Sequence, residues 1–340
     1  MKASVNLSRQ IHFLLDYRVT IDRFADTEPL RVLVFTSPKA GSGKHREQIP
    51  RLVDLLRQQS VDVQITHEVS ELQALASQNG PQPAVIVPAG GDGTLSLAAG
   101  AVSTPTQRET ERRPLIAPMP LGTENLLARH FGHRAIAEQV IHTIRHGVPY
   151  ALDVGTANDQ TFLIMATCGF DAEVVRAMHL TRSGHISRFS YFGPVMHAIR
   201  RYRFPLLRVR IDDGEPLECR WAMVFNLPCY GGGLRIEPNA VGNDGLFDVI
   251  LFRGGSIPSG LKYAATIWTG QHRKLRDVVR CRGRQITVES ISRVPYQLDG
   301  DYAGKLPLKL EMHPASVDFL IPPPTSSQTG TSPAQTRPNR

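Results

Sequence analysis

The sequence predicts an α/β protein, with a doubly wound parallel sheet in its first half and a mainly antiparallel, β-rich second domain. Between residues 30 and 150, short apolar runs alternate with segments of helical periodicity. After Tyr150, strand-like runs follow one another closely and helical segments become rare. The first pattern is typical of a parallel sheet covered by helices, and the second of antiparallel strands.

The elements follow from the position of the apolar runs. In the first domain we expect strands at 30–35, 61–66, 84–89 and 114–119 and helices at 49–59 and 69–79. In the second we expect strands at 161–167, 206–211, 222–226, 247–252 and 284–289 and helices near 186–201 and 259–269. Ligands of parallel sheets lie at the carboxyl ends of the strands, where the glycine-rich turns of this chain occur.

The domain organisation follows from length and local composition. The 340 residues are enough for two domains with their own cores. We expect an N-terminal extension over 1–29, the α/β domain over 30–150, the β-rich domain over 151–321 and a tail over 322–340. The tail is predicted to be disordered because it is rich in Pro, Thr, Ser and Gln and has almost no apolar residues.

Composition limits the location and the partners. The four cysteines form no CxxC pair and no signal peptide is recognised, so we expect a reduced, cytoplasmic protein. No apolar run approaches the roughly 20 residues that cross a bilayer, so membrane contact would be peripheral. The formal net charge of +8 favours an anionic partner, which charge alone does not identify as a nucleotide, a nucleic acid or an acidic lipid surface.

A glycine turn after the third predicted strand is the first candidate site. Gly90, Gly91, Asp92, Gly93 and Thr94 separate the apolar run 84–89 from the helix-like segment that starts with Leu95 and Ser96. Glycines allow close backbone approach, and a following helix offers N–H groups to a phosphate. Beside phosphates, the carboxylate of Asp92 requires a bridging cation such as Mg²⁺. A tight turn without a ligand explains the glycines equally well.

Two further turns are expected at the same edge of the sheet. The first is the segment from Ser37 to Lys44, which is no Walker A loop because Pro38 stands where the first glycine belongs, and no GxGxxG motif because Arg46 takes the last position. The second follows strand 114–119 and places Thr123 at a predicted helix start, where its hydroxyl caps the helix or holds a phosphate oxygen.

Several motifs in order resemble the diacylglycerol kinase catalytic-domain family, which includes bacterial lipid kinases, sphingosine kinases and ceramide kinases. Asp92 lies in a GGDGT sequence, and 120–128 is similar to the PLGTxNxxA segment of that family. Further matches extend the resemblance over residues 31–320: Leu152 to Gly155, Cys168 to Ala172, Asn226 with Gly231 to Gly233, Pro238 to Ala240 with Asp244 and Gly245, and Leu298 to Asp301.

The resemblance implies a nucleotide-binding domain like that of NAD kinases and diacylglycerol kinases, joined to the β-rich domain across a cleft. It implies ATP and Mg²⁺ as cofactors, with Asp92 organising cation and phosphate and Asp153 supporting it. The nucleotide would contact Ser37, Pro38, Lys39, Ala40, Gly41, Thr66, Gly90, Gly91, Asp92, Gly93, Thr94, Leu95, Ser96 and Thr123. Ser37 and Ser96 depart from the family pattern, which usually has Asn at both positions.

An acidic pair in the second domain is the candidate for proton transfer. Asp299 and Asp301 match the Asp-Gly-Glu motif of the family, in which a carboxylate accepts the proton of the attacking hydroxyl. Such a base needs mainly to be positioned, because alignment and charge neutralisation dominate phosphoryl transfer. Asp301 is one methylene shorter than the usual Glu, so the division of labour within the pair stays open, as does a simple β-turn.

A second cation site is implied by the resemblance alone. Its ligands would be the Asp244 side chain and the carbonyl oxygens of Val241 and Leu246, an oxygen set that suits Mg²⁺ or Ca²⁺. From the residues alone, the segment 241–246 is an ordinary turn.

The segment 182–203 combines aromatic and aliphatic residues with five arginines. It fits a helix at an anionic membrane interface, and equally a core helix with a solvated basic edge.

The sequence therefore predicts an ATP- and Mg²⁺-dependent kinase that phosphorylates a lipid hydroxyl of the diacylglycerol or sphingoid-base type at a membrane surface, with no nucleic acid partner and a homodimer left open. One alternative is a kinase of a soluble acceptor like the NAD kinases, which share the GGDGT loop. The other is a catalytically weak nucleotide- or membrane-binding protein, suggested by Ser37, Ser96 and Asp301.

Overall fold

A computed structural model describes residues 30–37, 45, 47–77, 83–103, 113–180 and 202–323. The N-terminal extension, residues 38–41 of the first glycine turn, the predicted helix 186–201 and residues 324–340 of the tail lie outside this part. In the first half the elements are β1 (Arg31–Phe35), α1 (Gln48–Gln58), β2 (Asp62–Thr66), α2 (Val69–Ser77), β3 (Val85–Gly90), α3 (Asp92–Ser103), β4 (Leu115–Ile116), β5 (Met119–Pro120), α4 (Leu126–His130) and α5 (Ala137–His146).

The first sheet has helices on both faces, as predicted. The strands β2, β1, β3 and β4 are neighbours in that order and pair in parallel. Along β1, Val32 and Val34 pack in one apolar cluster with α1 and α5, whereas Leu33 and Phe35 pack in the other with α2 and α3. Because successive side chains of a strand point to opposite faces, the four consecutive buried apolar residues of β1 require cover on both sides. The doubly wound architecture is confirmed.

The second half is mainly antiparallel, also as predicted. Its elements are β6 (Val148–Ala157), β7 (Gln160–Phe162), β8 (Met165–Cys168), α6 (Phe170–Leu180), β9 (Leu207–Ile211), β10 (Leu217–Cys219), β11 (Trp221–Phe225), β12 (Phe247–Phe252), α7 (Ile257–Trp268), β13 (Val278–Gly283), β14 (Gln285–Glu289), β15 (Pro295–Leu298), β16 (Asp301–Lys305) and β17 (Leu308–Ile321). Six of these strands form a separate antiparallel sheet in the order β13-β12-β11-β8-β15-β16.

The last strand ties the two halves together. Strand β17 pairs antiparallel with β14 and β6 in the second half and parallel with β4 in the first, through Phe319 and Ile116. One sheet therefore runs from β2 at one edge to β10 at the other. This continuity fixes how the second domain faces the carboxyl ends of β1 and β3, where the predicted site lies.

Three local predictions need correction. The glycine turn is shorter than expected, because Gly90 still belongs to β3 and Asp92 already begins α3. The predicted strand 114–119 is two short strands, β4 and β5. The segment 161–167 is likewise divided between β7 and β8, with Leu163 and Ile164 at the bend between them.

Among the helices of the described ranges, none combines the length and the apolar character required to traverse a bilayer.

Candidate active site

The candidate site begins where two glycine turns touch. A Cβ atom on Gly122 would lie 2.5 Å from the Cα atom of Gly91, far inside van der Waals contact. The turn that holds Gly122 is closed by Asn125, whose Oδ1 accepts a hydrogen bond from the Gly122 N–H at 2.9 Å. Only glycine lets the turn after β3 and the turn after β5 approach this closely. The sequence prediction that these turns meet at one edge of the sheet is therefore confirmed.

Asp92 joins these two turns through hydrogen bonds. Its carboxylate accepts the backbone N–H of Leu126 at 3.0 Å and that of Leu127 at 3.3 Å, the first two residues of α4. Because helix N-termini carry unpaired N–H groups and a positive dipole end, a carboxylate there is stabilised. Asp92 also lies in the first turn of its own helix, α3. One side chain thus serves two helix N-termini.

The role expected for Thr123 has to be revised accordingly. Helix α4 begins at Leu126, three residues after Thr123, so Thr123 is an exposed residue of the preceding turn rather than the helix cap. The carboxylate of Asp92 takes the capping position from 34 residues away. Thr123 stays available at the edge of the turn for a ligand.

The electrostatics at Asp92 favour a cation. The pKa of Asp92 is raised from 3.8 to about 6, mainly by burial and also by the nearby charges of Asp299 and Asp301, while the N–H groups of Leu126 and Leu127 lower it. Three acidic residues brought together in a partly dry site repel one another, and a bound cation relieves this repulsion. Burial is the main cause of the pKa shift, and the two like charges add to it.

Asp299 is fully engaged by the protein. It lies in the turn between β15 and β16, and its carboxylate accepts the N–H groups of Leu163 and Ile164 at 2.8 Å each and of Met165 at 3.0 Å. A fourth hydrogen bond comes from the Ser96 hydroxyl of α3 at 2.9 Å. A carboxylate offers about four lone-pair sites, so Asp299 has none to spare. Burial raises the pKa of Asp299 despite these donors.

Asp301 faces the glycine turn from the second domain. Its side chain is exposed, and a Cβ atom on Gly93 would lie 3.7 Å from the Asp301 Oδ2 atom. Asp92, which lies beside Gly93 in the first domain, and Asp301, from the second domain, are thus brought to the same place. Of the two acidic residues that the sequence singled out in the second domain, Asp299 anchors the interface and Asp301 points to the site.

A buried polar cluster supports this turn from behind. The carboxylate of Asp171, at the start of α6, accepts hydrogen bonds from the hydroxyls of Thr167, at 2.6 Å, and Tyr230, and from the Gln297 amide at 3.3 Å. The side-chain Oε1 atom of Gln297 accepts a hydrogen bond from the N–H of Gly300 at 2.7 Å. Gly300 lies between Asp299 and Asp301. The cluster fixes the 299–301 turn to α6. Sequence reasoning named Asp171 only as part of a motif and missed Tyr230 and Gln297.

The far edge of the sheet carries hydroxyl groups at the ends of β1 and β2. The Thr36 hydroxyl donates to the Ala89 carbonyl at 2.9 Å, and the hydroxyl of the buried Thr66 bonds to the Glu71 carboxylate. Ser37 directly follows Thr36 in the chain, after the end of β1, and is partly exposed. Thr66 and Ser37 therefore lie at the ends of β2 and β1, and their predicted contact with a nucleotide, implied by the family resemblance, stays a prediction.

The predicted second cation loop is well ordered by its neighbours. Asp153 is buried and accepts the N–H groups of Gly245 and Ala315, each at 2.7 Å. The Asp244 carboxylate forms an ion pair with Arg282 and accepts the Leu246 N–H at 3.2 Å. Asp153, expected to support Asp92, instead holds this loop in place. Arg282 competes with any cation for Asp244, a contact that the sequence did not reveal.

Within the described ranges, no three His, Cys, Asp or Glu side chains form a ready-made metal site. Mg²⁺ commonly binds through one or two carboxylates, water and substrate phosphates, so the arrangement around Asp92 fits Mg²⁺ carried with a nucleotide. The glycine turn, with the N-terminus of α3 behind it, fits the phosphate groups.

Comparisons with known proteins match almost the whole of the described chain. Residues 31–157 match the family model described as the diacylglycerol kinase catalytic domain, and residues 165–321 match the model described as the YegS C-terminal NAD kinase beta sandwich-like domain.

Similar curated proteins and solved structures cover the same range. A protein of Mycobacterium tuberculosis named diacylglycerol kinase is 29% identical over 309 residues, covering 86% of this chain and 95% of its own length. One of Shewanella frigidimarina, named "Probable lipid kinase YegS-like", is 25% identical and covers 81% of this chain and 89% of its own. A Bacillus anthracis structure described as a diacylglycerol kinase superimposes with a TM-score of 0.65 at 23% identity, covering 88% of this chain and 99% of its own, which supports the fold.

Proposed function

Because residues 31–157 match the diacylglycerol kinase catalytic domain and residues 165–321 match the YegS C-terminal domain, we propose that this chain is an ATP- and Mg²⁺-dependent lipid kinase. The proposed reaction transfers the γ-phosphoryl group of ATP to the free hydroxyl of a lipid of the diacylglycerol type. Curated relatives that are named as diacylglycerol kinases or lipid kinases, and are similar over most of their length, support the reaction class.

The observation that carries this proposal is the approach of Asp92 and Asp301 to one glycine turn. Asp92 comes from the domain whose glycine turns fit phosphates, and Asp301 comes from the domain that would present the acceptor. The Asp301 Oδ2 atom lies 3.7 Å from the position of a Cβ on Gly93. Phosphoryl transfer requires the attacking oxygen, the phosphorus and the leaving oxygen roughly in line. A carboxylate beside the phosphate turn suits the side of the attacking hydroxyl.

The roles of the residues follow from their contacts. When bound, ATP supplies the phosphoryl group, and Mg²⁺ neutralises the charge on its phosphate oxygens. Asp92, held by the N-terminus of α4, orients the cation directly or through water. Asp301 accepts the proton of the lipid hydroxyl as its oxygen attacks. Asp299, whose lone pairs are all used, is a positioning residue that holds the turn.

The departures from the family pattern are compatible with activity. Ser96, where Asn is usual, uses its hydroxyl to bond to Asp299 at 2.9 Å and so retains a link between the domains. Asp301 stands where Glu is usual, and its side chain is one methylene shorter. The hydroxyl of the acceptor lipid must therefore lie closer to the backbone of residue 301 than in an enzyme with Glu. We therefore expect slower turnover rather than loss of turnover.

The test is transfer of label from γ-labelled ATP, with Mg²⁺, to mixed micelles that contain diacylglycerol, sphingosine or ceramide, and to NAD⁺ in a parallel reaction. Label on diacylglycerol supports the proposal, and Asp92→Asn provides the inactive control. Label on NAD⁺ alone favours a kinase of a soluble acceptor. Binding of ATP without transfer to any acceptor favours a nucleotide-binding protein, and both of these outcomes overturn the proposal.

A further inference from the structure

Helix α7 exposes an apolar face that the described core does not cover. Ile257, Leu261 and Trp268 are 45%, 42% and 69% exposed. They follow one another after four and seven residues, so they share one face of the helix. Large apolar side chains exposed in a row mark interaction surfaces more often than scattered ones do.

The exposure does not result from loose packing of the helix. The opposite side of α7 is anchored through Gly260, Tyr263 and Ile267, which are buried. The Tyr263 hydroxyl donates to Asp277 at 2.6 Å and accepts the Gly254 N–H at 2.7 Å. A Cβ atom on Gly260 would lie 2.8 Å from the ring of Phe204. The helix is therefore held firmly with its second apolar face turned outward.

Positive charge is concentrated around this helix. Residues 253–284 contain eight Lys and Arg and a single Asp, so they carry almost the whole net charge of the chain. Within the described residues, Arg280 and Arg282 are neutralised by Glu237, Asp244 and Asp248, and Lys262 pairs with Asp277.

Four described basic residues of 253–284 have no recorded ion pair: three lie at the two ends of α7, and the fourth, Arg284, lies between β13 and β14. The structure records no ion pair to another described residue for Arg253, Lys274 or Arg276. Arg253 precedes the helix, and its backbone N–H bonds to the Asp277 carbonyl at 3.0 Å, which brings the 276–277 segment alongside it. Lys274 follows the helix in the short 3₁₀ turn His272–Lys274.

An apolar helix face flanked by unpaired cations matches an anionic lipid surface. We propose that α7 is the element by which this protein docks onto an anionic bilayer, with Ile257, Leu261 and Trp268 inserted and Arg253, Lys274 and Arg276 among the headgroups. The proposal rests on the proposed function, since it places a lipid kinase on the membrane that holds its acceptor.

The two tryptophans make the proposal directly measurable. Trp221 is 5% exposed and Trp268 is 69% exposed, so a change of emission on membrane contact reports on Trp268. With vesicles of phosphatidylcholine and phosphatidylglycerol, we expect a blue shift that is absent with phosphatidylcholine alone. The shift should weaken as NaCl rises from about 0.05 to about 0.5 M, because salt screens headgroup attraction.

Matched variants separate α7 from other exposed apolar residues. The double change Ile257→Ser and Leu261→Ser should lower the affinity for anionic vesicles, measured by co-sedimentation, by at least about tenfold, because apolar burial is lost at both positions. The control is Ile136→Ser in the first domain, where Ile136 is 43% exposed, and it should bind like the wild type. Trp268→Phe should abolish the spectral shift while most vesicle binding persists.

Three results would overturn the proposal. The first is an unchanged Trp268 emission when anionic vesicles are added. The second is resistance of Trp268 to iodide quenching without vesicles, which would mean that another part of the chain covers it. The third is a double variant that loses dimer formation but keeps vesicle binding. A separate assay, phosphorylation of a soluble short-chain diacylglycerol, measures the proposed kinase activity without a membrane. It therefore distinguishes failure of membrane docking from failure of the proposed function. The double variant should retain that activity, and failure of the wild type to show it would count against the kinase and not against α7.

Discussion

The hydroxyl of Ser96 donates a 2.9 Å hydrogen bond to the carboxylate of Asp299, across 203 residues and from one domain to the other. Both residues are buried or partly buried, and Asp299 is followed two residues later by Asp301. The bond therefore links the helix that begins with Asp92 to the turn that carries the proposed proton acceptor.

Ser96→Ala should lower both stability and turnover. Asp299 keeps three of its four hydrogen-bond donors in this variant. The loss of one donor to a buried carboxylate lowers the unfolding free energy by about 1–3 kcal/mol. Turnover should fall because the 299–301 turn loses its tie to α3. Chemical denaturation and kcat measure the two effects. Ser103→Ala on the same helix, where the hydroxyl bonds only locally to the Gly100 carbonyl, is the control and should alter neither.

The architecture around this bond was predictable to the extent that it is local in sequence. The apolar run 84–89 and the glycines after it are enough to place Asp92 at the carboxyl edge of a parallel strand. The order of motifs along the chain was enough to assign Asp299 and Asp301 to the opposing domain. The first inference depends on neighbouring residues and on strand and helix periodicity, and the second depends on the family resemblance.

Contacts between distant segments were not predictable in the same way. Nothing near Asp92 in sequence shows that it caps a helix 34 residues later. Gln297 is an ordinary strand residue until the fold places Asp171 beside it. Strand β17 alternates like any antiparallel strand, and its parallel pairing with β4 depends on the whole sheet. Such partners are set by tertiary packing, which periodicity does not encode.

Activity should depend on the ionisation of Asp92. Its pKa is raised to about 6, so the carboxylate is present above about pH 6 and is protonated below. In the absence of other limits, kcat/KM should fall as pH drops through 6, and higher Mg²⁺ should move this limb to lower pH because the cation favours the charged form. A limb that Mg²⁺ leaves unmoved would contradict the cation-organising role.

Asp92→Asn should abolish turnover without harming the fold. The folded state holds the Asp92 proton more tightly than the unfolded state, so its contribution to stability falls as pH rises from about 4 to about 6. Replacement by Asn removes that dependence. We expect the melting temperature of the variant to equal or exceed that of the wild type at pH 7.5, and its relative advantage to shrink at pH 5. A variant that is less stable at pH 7.5 and more stable at pH 5, relative to wild type, would contradict this.

The buried cluster behind the acidic turn should matter for catalysis as well as for stability. Gln297→Leu leaves the Gly300 N–H without its partner, and we expect kcat to fall while the KM for ATP changes little. Tyr230→Phe is the matched comparison, because it removes a donor from the same Asp171 carboxylate but leaves Gln297 on the turn. Each change should cost about 1–2 kcal/mol of stability. Equal losses of kcat in both variants would mean that the cluster acts only on stability.

The predicted cation loop is open to a direct competition test. Arg282 occupies Asp244, so Arg282→Gln should increase the rise in melting temperature that Ca²⁺ or Mg²⁺ produces, and Asp244→Asn should remove it. The measurement is made on proteins that also carry Asp92→Asn, which excludes binding at the candidate active site. A cation effect that is the same in all variants would show that the ion binds elsewhere.

The proposed proton acceptor gives the most direct test of the account. Label transfer from γ-labelled ATP to diacylglycerol in mixed micelles is measured for the wild type, Asp301→Asn and Asp301→Glu. The account predicts that Asp301→Asn melts like the wild type but transfers label about 10²-fold more slowly or worse, and that Asp301→Glu, which restores the usual residue of the family, remains active. Transfer by Asp301→Asn at the wild-type rate, or no transfer to any lipid hydroxyl by the wild type, would contradict it.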